Sequence, residues 1–441
     1  MEKEIKIKSD KKSIVKRFIW FVIFMLIAVI SLTYGMNACS QNLKVKKGLK
    51  EIELSSIKLP NGHFITPFEN EIQLYYYVDE NKQHNASQML SAVTRTYSQI
   101  AYTTFQTLHC EYEFSENKSI AYINNHPNQE IVVSKYLFDT LKDAYEKTCL
   151  ENSHYSVFSG KIKDFWNSMF YSSTKKADPY FNETNKKHLE NITLALKEKQ
   201  DYQLVFNEEK STITYLLNME NEKLFFEENG HKKCYLKLDL NHLYEAYVME
   251  IMGSYFINLN LTKGFFVSQS GYYYHLKDYW TQDKKVQIAL QLFAKESKDK
   301  SYQTQKIGSF YLDGSVKGTT FTNYYLREKD VYRYQIEEAN IRRYPLYDAS
   351  SGYPLTFIRY SRMYSNQDNT SLVDLGMNNL QMMCMPFNES EELAKNLHHY
   401  SIIYITDNGL FNDVLDENLK IYTNISTLEI DEKYENSKIE I

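Results

Sequence analysis

The sequence predicts an α+β fold behind one N-terminal membrane segment, and three observations support this prediction. Helical and extended patterns follow one another along the chain without the strict alternation that builds a parallel sheet. Hydrophobic residues make up 43% of the 441 residues, which is enough for a core and excludes wholesale disorder. Gly (14) and Pro (7) fall well below the usual proportions of about 7% and 5%, which excludes collagen-like and Gly-rich repeat architectures.

The charge balance and the cysteines exclude further classes. The 51 basic and 56 acidic residues give a net charge of −5, so the chain has no basic surface typical of a nucleic-acid-binding protein. No C-x-x-C pair and no Cys/His spacing typical of zinc occurs, so the cysteines after Cys39 are expected to be buried or unused thiols. One disulfide among those four stays open if the chain is exported.

The N-terminus predicts attachment to a membrane. Residues 2–17 are rich in lysine, and residues 18–36 carry no charge. A helix of that apolar length spans about 28 Å, which is close to the hydrocarbon thickness of a bilayer. The basic flank should stay in the cytoplasm, so the body is expected on the extracytoplasmic side of the cell membrane. Residues 1–39 are therefore interpreted as a signal peptide or an anchor.

The fate of this segment has two readings. Ala38 before Cys39 loosely matches a bacterial lipobox, which predicts cleavage and lipidation of Cys39. The alternative is an uncleaved signal anchor, and both keep the protein on the cytoplasmic membrane. The Lys-rich residues 40–69 are expected to form a tether, and residues 426–441 a C-terminal tail.

The first half of the body predicts three helices and a hairpin. Residues 86–108 lack Gly and Pro and read as a long amphipathic helix. Residues 134–148 place their apolar side chains on one face, with Ser134 as the N-cap. A further helix is expected over residues 182–198, and residues from 201 onward predict strand, turn and strand.

The second half mixes extended and helical patterns. An apolar strand is expected over 234–240, with Asn241 capping a helix that runs to about residue 253. The other expectations, in chain order, are an extended stretch over 264–276, a solvated loop over 294–307, a helix over 371–385, a helix over 389–400 and a D-N-G turn at 407–409.

Several well-known catalytic motifs are missing from the sequence. It contains no G-x-x-x-x-G-K-[ST], G-x-G-x-x-G, H-E-x-x-H or G-x-S-x-G. The adjacent His398 and His399 have no acidic neighbours at ligand spacing, so they predict a solvated helix face.

Eight segments, taken in order, resemble the FAD:protein FMN transferase family (the ApbE family). Residues 111–128 resemble its early serine and asparagine element, and VFSGKIKDFW its F-x-x-x-x-G-x-L-x-x-x-W passage. LKLDLNHLYEAY is similar to the family's L-D-L-G-G-x-x-K-G-Y. RRYPLYDASSGYPL resembles its R-x-x-H-I-x-D-P-x-T-G-x-P signature, and SLVDLGMNN its A-D-A-x-x-T metal element. The resemblance covers most of residues 70–425.

The resemblance implies an ApbE-like fold with mixed sheets flanked by helices. It also implies transfer of FMN from FAD to a Thr or Ser of an acceptor flavoprotein, with Mg²⁺ as cofactor and release of AMP. On the matching positions, Asp374 and Asn378 would hold the metal. The residues that would contact the flavin nucleotide are Ser119, Asn124, Ser270, Gly271, Asp348 and Gly352.

The sequence departs from the family where chemistry is expected. Glu245-Ala246 stands at the K-G positions, and Pro345 stands at the signature histidine. A carboxylate at the lysine position would repel a diphosphate, and proline cannot transfer a proton. Asp239 follows the family pattern but also suits a strand-end cap. Whether the chain is an enzyme therefore stays open.

Three readings follow from these residues. The first is an FMN transferase. It requires segments 241–253, 342–354 and 371–385 to line one common cavity. The second is a catalytically silent relative that acts as a membrane-attached binding or scaffold module. The third is a lipoprotein of unrelated α+β fold.

Overall fold

The computed structural model describes residues 48–429, apart from residues 69–70, 79–82, 116, 171–174, 279–284, 297–301, 323–333, 340, 344, 355–357, 398, 407–408, 414–419 and 422–427. Cys39, residues 18–36 and residues 426–427 and 430–441 of the expected tail thus lie outside the described residues. Contacts divide the described chain into a small unit, residues 48–49, 78 and 83–92, and a main unit that holds the rest. All sites below belong to the main unit.

The structure confirms an α+β architecture. The helices are α1 (Gln83–Leu108), α2 (Ile120–Asn125), α3 (Lys135–Thr148), α4 (Gly160–Phe170), α5 (Glu183–Lys197), α6 (Tyr244–Asn258), α7 (Leu372–Cys384) and α8 (Phe387–Asn396). The strands are β1 (Gly48–Ile52), β2 (Ile57–Lys58), β3 (Phe64–Ile65), β4 (Ile72–Val78), β5 (Glu130–Val132), β6 (Tyr202–Asn207), β7 (Thr212–Leu217), β8 (Phe225–Glu228), β9 (His231–Cys234), β10 (Gly264–Ser268), β11 (Tyr272–His275), β12 (Lys285–Glu296), β13 (Tyr302–Asp313), β14 (Lys317–Thr322), β15 (Tyr334–Ile336), β16 (Ile341–Arg343), β17 (Ile358–Ser365), β18 (Ser401–Thr406), β19 (Gly409–Asp413), β20 (Lys420–Ile421) and β21 (Leu428–Glu429).

The largest sheet has eight strands in the order β1-β4-β10-β11-β14-β17-β18-β19. A second sheet has the order β20-β13-β12-β21, and a third the order β5-β7-β6. The pairings whose register is defined between named strands are all antiparallel, which corrects the expectation of mixed sheets. Neighbouring strands can pair in this way through short hairpins, as β10 and β11 do.

Capping side chains define the starts of several helices, and the sequence predicts one of them, Ser134. The Ser134 hydroxyl accepts a hydrogen bond from the Leu137 amide at 3.3 Å, so α3 begins as predicted. Asn182 caps α5 in the same way through the Asn185 amide, at 3.1 Å. The helix predicted over 371–385 is α7, capped by Ser371.

Helix α7 is central to the core of the main unit. It packs on β14 and β17 and on α6. Leu372, Leu375, Leu380 and Met383 are fully buried on it. Gly376 permits a close approach, because a Cβ there would lie 2.5 Å from the Tyr272 hydroxyl oxygen. That hydroxyl donates to the His242 carbonyl at 2.8 Å, which joins β11, a strand that α7 contacts, to the turn before α6.

Three local expectations are wrong. Residues 294–296 and 302–307 belong to the long antiparallel strands β12 and β13 rather than to a solvated loop. Residues 235–240 are not a named strand, although Lys237 makes an isolated bridge with Ser159. Asn241 does not cap the following helix: a 3-10 turn at Asn241–Leu243 precedes α6, which runs to Asn258.

Two findings bear on the N-terminal expectations. Among the helices of the described chain, none combines the length and apolarity that crossing a bilayer requires. Within the tether expected over 40–69, the part from residue 48 onward contains the strands β1, β2 and β3.

Candidate functional site

A cavity of about 240 Å³ brings together two positions where the sequence departs from the ApbE pattern and one predicted flavin contact. Glu245, Ser270 and Pro345 all line it, although they are far apart in the sequence. The 3-10 turn and start of α6, the β10–β11 turn and the segment after β16 supply these side chains. The other lining residues are Glu71, Lys163, Trp166, Asn167, Phe170, Asn241, His242, Tyr244 and Tyr347.

Glu245 is the central acidic group of this cavity. Its carboxylate accepts a hydrogen bond from the Ser270 hydroxyl and a long one, 3.4 Å, from the Ser270 amide. Burial raises the pKa of Glu245 to about 7, the nearby charge of Glu71 also raises it, and hydrogen bonds from Ser268 and Ser270 lower it. Near neutral pH this carboxyl therefore exists in both protonation states.

Among the described residues of the cavity wall, the one lysine is already paired. The Lys163 ammonium lies 2.9 and 3.1 Å from the two oxygens of Asp239, which is 1% exposed. Asp239 also accepts from the Asn241 amide at 2.7 Å and from the Cys110 thiol at 3.1 Å. Burial alone would raise the pKa of Asp239, but Lys163 and these donors lower it. Asp239 is therefore a buried anion that neutralises Lys163.

A hydrogen-bond network joins the cavity wall before α6 to the segment after β16. The Tyr347 hydroxyl donates to the Asn241 amide oxygen at 2.7 Å, and the Tyr347 amide donates to His242 Nε2 at 3.2 Å. Asn241 also donates to the Ser156 carbonyl and the Ser159 hydroxyl. Burial lowers the pKa of His242 to about 4, so its ring is neutral and can accept the hydrogen bond from Tyr347.

The turn after Tyr347 keeps the conformation that the signature suggests. Asp348 accepts from the Ser350 amide at 2.8 Å and the Ser351 amide at 3.1 Å. Gly352 has a φ of +77°, and its carbonyl accepts from Trp166 Nε1 at 2.7 Å. Neither Asp348 nor Gly352 lines the 240 Å³ cavity. Asp348 lines a second cavity of about 540 Å³ instead.

Three other residues predicted at the site serve the backbone. Ser119 is fully buried and caps α2 through the Tyr122 amide, at 3.2 Å. Asn124 exchanges two hydrogen bonds with the Leu238 backbone, at 2.8 and 2.9 Å. Gly271 has a φ of +105°, which suits the turn between β10 and β11.

The predicted metal ligands lie away from the cavity, on the first turns of α7. The Asp374 carboxylate is 2.9 Å from the Lys147 ammonium, which is also 2.7 Å from Asp143. Tyr247 on α6 donates to the other oxygen of Asp143 at 2.6 Å. Asn378 hydrogen-bonds to Tyr400. Helix α7 thus contacts the turn before α6 but contributes none of the residues that line the cavity.

These residues do not fit Mg²⁺. A magnesium site needs oxygen ligands around an open position. Here the Lys147 ammonium lies within hydrogen-bond distance of both carboxylates, Asp143 and Asp374. Those carboxylates raise the pKa of Lys147 against the opposing effect of burial, so the ammonium stays charged. A fixed positive charge therefore stands where the metal would bind.

The cavity does not fit FAD either. Its volume of about 240 Å³ is below the roughly 300–1,000 Å³ of typical ligand sites. Glu71 and Glu245 both line it, and its one lysine is neutralised by Asp239. Two carboxyl groups would repel a diphosphate in so confined a space.

Sequence reasoning missed Lys147, Lys163 and Glu71. A signal existed for Lys147, because Asp143 precedes it by four residues on one helix face. No local pattern connects Lys163 with Asp239, or Glu71 with Glu245, since each pair meets only through the tertiary fold.

The chain is similar to solved structures of ApbE proteins. No protein-family model matches the sequence, and no curated protein is similar to it in sequence. The ApbE protein of Thermotoga maritima matches with a TM-score of 0.51 at 12% identity, over 81% of this chain and 96% of its own. The flavinyl transferase ApbE of Pseudomonas stutzeri gives 0.51 at 10% identity, over 84% and 95%. The flavin transferase ApbE of Vibrio cholerae gives 0.52 at 12%, over 83% and 97%. The chain therefore has an ApbE-like fold, as its order of motifs predicts.

Proposed function

We propose that this chain is a flavin-transferase-like protein that keeps the ApbE fold without metal-dependent transfer. It acts as a binding or scaffold module on the extracytoplasmic face of a cell membrane, held there by its N-terminal segment. Similarity to solved ApbE structures supports the ApbE-like fold. The ion pairs of Lys147 support the absence of metal-dependent transfer.

The contact between Lys147 and Asp374 carries the argument. Only 12% of the Lys147 side chain is exposed, and its ammonium faces two carboxylates at 2.7 and 2.9 Å. A divalent cation at Asp374 would have to displace this ammonium and then lie beside it. Displacement would break the ion pairs of Lys147. The displaced ammonium would then repel the cation, because like charges repel strongly in a partly buried site.

The 240 Å³ cavity supports the same proposal. The position that resembles the family's lysine carries Glu245, and the position of its histidine carries Pro345. Among the described lining residues, neither position offers the side chain of the family pattern, and the one lysine, Lys163, is paired with Asp239. Both changes remove chemistry while they leave the surrounding fold intact.

FMN transfer remains the competing function. In that reading, FMN passes from FAD to a Thr or Ser of an acceptor flavoprotein, and Asp374 and Asn378 hold Mg²⁺. One observation favours it: the Asp374 side chain is 51% exposed, and Asn378 follows one helical turn later. It requires Lys147 to move off Asp374.

Incubation of the full chain in detergent with FAD separates the two functions. We expect no AMP release in Mg²⁺, with or without a Thr- or Ser-containing acceptor, and no Mg²⁺-dependent change in FAD affinity. AMP release that requires Mg²⁺ would establish transfer and refute the proposal. Heat-denatured protein controls for spontaneous hydrolysis of FAD.

Membrane attachment has its own test. A Cys39→Ser variant that loses fatty-acid labelling and shifts to a larger mass would support lipidation, whereas unchanged mass and membrane fractionation would support an uncleaved anchor. Recovery of the full chain in the soluble fraction would contradict both.

A further inference from the structure

Three side chains from distant parts of the sequence converge beside the second cavity. His154 Nδ1, an oxygen of Asp348 and the Cys384 sulfur all lie within 4.8 Å of one another. The closest pair is His154 Nδ1 and Asp348 Oδ1, at 3.0 Å. Asp348 and Cys384 line the cavity of about 540 Å³. The cluster therefore has nitrogen, oxygen and sulfur donors at the edge of an open space.

The backbone holds these donors in place. The Ala349 amide donates to the His154 carbonyl at 2.9 Å, so the two segments are joined next to the side-chain pair. The Ser350 and Ser351 amides and the Ser350 hydroxyl donate to the Asp348 carboxylate and fix its position. Cys384 is the last residue of α7, and it is 7% exposed. Little ordering cost would accompany binding at such a preformed cluster.

We propose that His154, Asp348 and Cys384 form a site for a divalent transition-metal ion, with Zn²⁺ as the best match. Zinc takes imidazole nitrogen, carboxylate oxygen and thiolate sulfur in tetrahedral geometry, and sites with three protein ligands leave the fourth position open. That position would face the 540 Å³ cavity, whose wall includes Tyr180, Glu183 and Lys186.

The distances are compatible with this assignment. Zinc bond lengths place the donor atoms of a tetrahedral site about 3.3–3.8 Å apart. The present separations reach at most 4.8 Å, so small side-chain rotations would bring the three donors to one ion. Mg²⁺ is a poor match, because it prefers six oxygen ligands.

Binding would exchange a proton for the metal. The Cys384 thiol loses its proton to solvent, and the thiolate forms the bond to the ion. The hydrogen by which His154 Nδ1 donates to Asp348 is exchanged through solvent for one on Nε2, which frees the Nδ1 lone pair for the ion. Burial and the Asp348 charge raise the pKa of the Cys384 thiol. Two anionic ligands then balance the charge of a divalent cation, which suits a buried position.

This site is independent of the proposed function. Asp374 lies near the start of α7 and Cys384 at its end, ten residues later, which corresponds to about 15 Å along the helix axis. A metal at Cys384 therefore does not occupy the position that the ApbE resemblance assigns to Mg²⁺.

Cobalt is the probe that reports the sulfur ligand directly. We expect the full chain to bind one Co²⁺ with an ultraviolet thiolate-to-cobalt absorption band, which Zn²⁺ abolishes by competition. Cys384→Ser should lose the band. Cys149→Ser is the matched control, because it removes an exposed thiol elsewhere, and it should keep the band. A band that survives in Cys384→Ser, or no band in the wild type, would overturn the proposal.

A second variant keeps the test valid if Cys384→Ser does not fold. The His154 side chain is 22% exposed, so His154→Gln should fold. We expect it to weaken Zn²⁺ affinity at least about tenfold by isothermal titration. Proton release on binding to the wild type should also make that affinity rise with pH. Equal affinity in wild type and His154→Gln would count against the site.

Discussion

Arg343 and Asp178 form a buried, two-pronged ion pair. Arg343 Nε donates to Asp178 Oδ2 at 2.9 Å, and a terminal nitrogen donates to Oδ1 at 3.1 Å. Arg343 is 6% exposed and Asp178 is 1% exposed. The guanidinium also lies 5.1 Å from the Trp166 ring, whose Nε1 binds Gly352. This pair holds the end of β16 in place. The segment that follows β16, residues 345–354, lines both cavities.

Removal of one partner should therefore destabilise the protein strongly. Arg343→Met leaves the Asp178 carboxylate buried without its counter-ion, and we expect a loss of about 3–5 kcal/mol of unfolding free energy. Glu391→Ala breaks the exposed pair with Lys395 on α8 and should cost about 0–1 kcal/mol. Urea unfolding measures both values. Similar small losses for the two variants would contradict the structural role of the buried pair.

The Lys147 pairs predict a gain of metal binding on mutation. Lys147→Gln removes the ammonium and leaves Asp143 and Asp374 facing each other. We expect millimolar Mg²⁺ to raise the melting temperature of this variant but not of the wild type. Lys142→Gln, which removes a lysine of the same helix that pairs with Glu208, is the control. An equal Mg²⁺ effect in wild type and both variants would refute this explanation.

Glu245 predicts a pH-dependent stability. Its pKa is raised from 4.5 to about 7 in the folded protein, so the folded state binds more protons than the unfolded state between these values. Its contribution to unfolding free energy is present below pH 4.5 and is lost as pH rises through 7, by at most about 3 kcal/mol.

Comparison of the wild type with Glu245→Gln should isolate this contribution. We expect the unfolding free energy of the wild type minus that of Glu245→Gln to fall as pH rises from about 4.5 to 7, and to stay constant above pH 7. Glu209→Gln in the exposed β6–β7 turn controls for the loss of one surface carboxylate. A difference that does not change with pH would show that Glu245 is solvated.

Substitutions at Gly352 and Gly230 separate the cost of backbone strain from the cost of steric crowding by a new side chain. Both have a left-handed φ, +77° and +75° respectively. A Cβ at Gly352 would lie 2.6 Å from Thr193 Cγ2, whereas a Cβ at Gly230 would meet nothing within 4 Å. We expect Gly230→Ala to cost about 1–2 kcal/mol through the backbone, and Gly352→Ala about 1–3 kcal/mol more. Equal losses in thermal unfolding would exclude the predicted crowding.

The shared cavity makes a double substitution informative. Because Glu245 and Pro345 line one space, Glu245→Lys with Pro345→His restores a cation and a proton donor at the same place. We expect inorganic pyrophosphate, which is smaller than FAD, to bind more tightly to the double variant than to the wild type by isothermal titration. An unchanged affinity would weaken the correspondence of both positions with the ApbE pattern.

Sequence reasoning was most successful for local structure. The helices α3, α5 and α7 form where the sequence predicts helices, and α3 begins at the predicted cap Ser134, because a cap and an apolar face are encoded by residues a few positions apart. The order of weak motifs also predicted the ApbE-like fold that the solved structures share. By contrast, the adjoining ends of β12 and β13 lie within residues 294–307, for which the sequence predicts a solvated loop, since two strands depend on each other for their pairing rather than on local pattern.

The sequence by itself determined the α+β class, most element positions and the replacements at Glu245 and Pro345. Only the tertiary structure decided which charges meet. It placed Lys147 on Asp374, Lys163 on Asp239 and His154 beside Asp348 and Cys384. Electrostatic energy depends on separation in space, and residues distant in sequence carry no local signal of that separation.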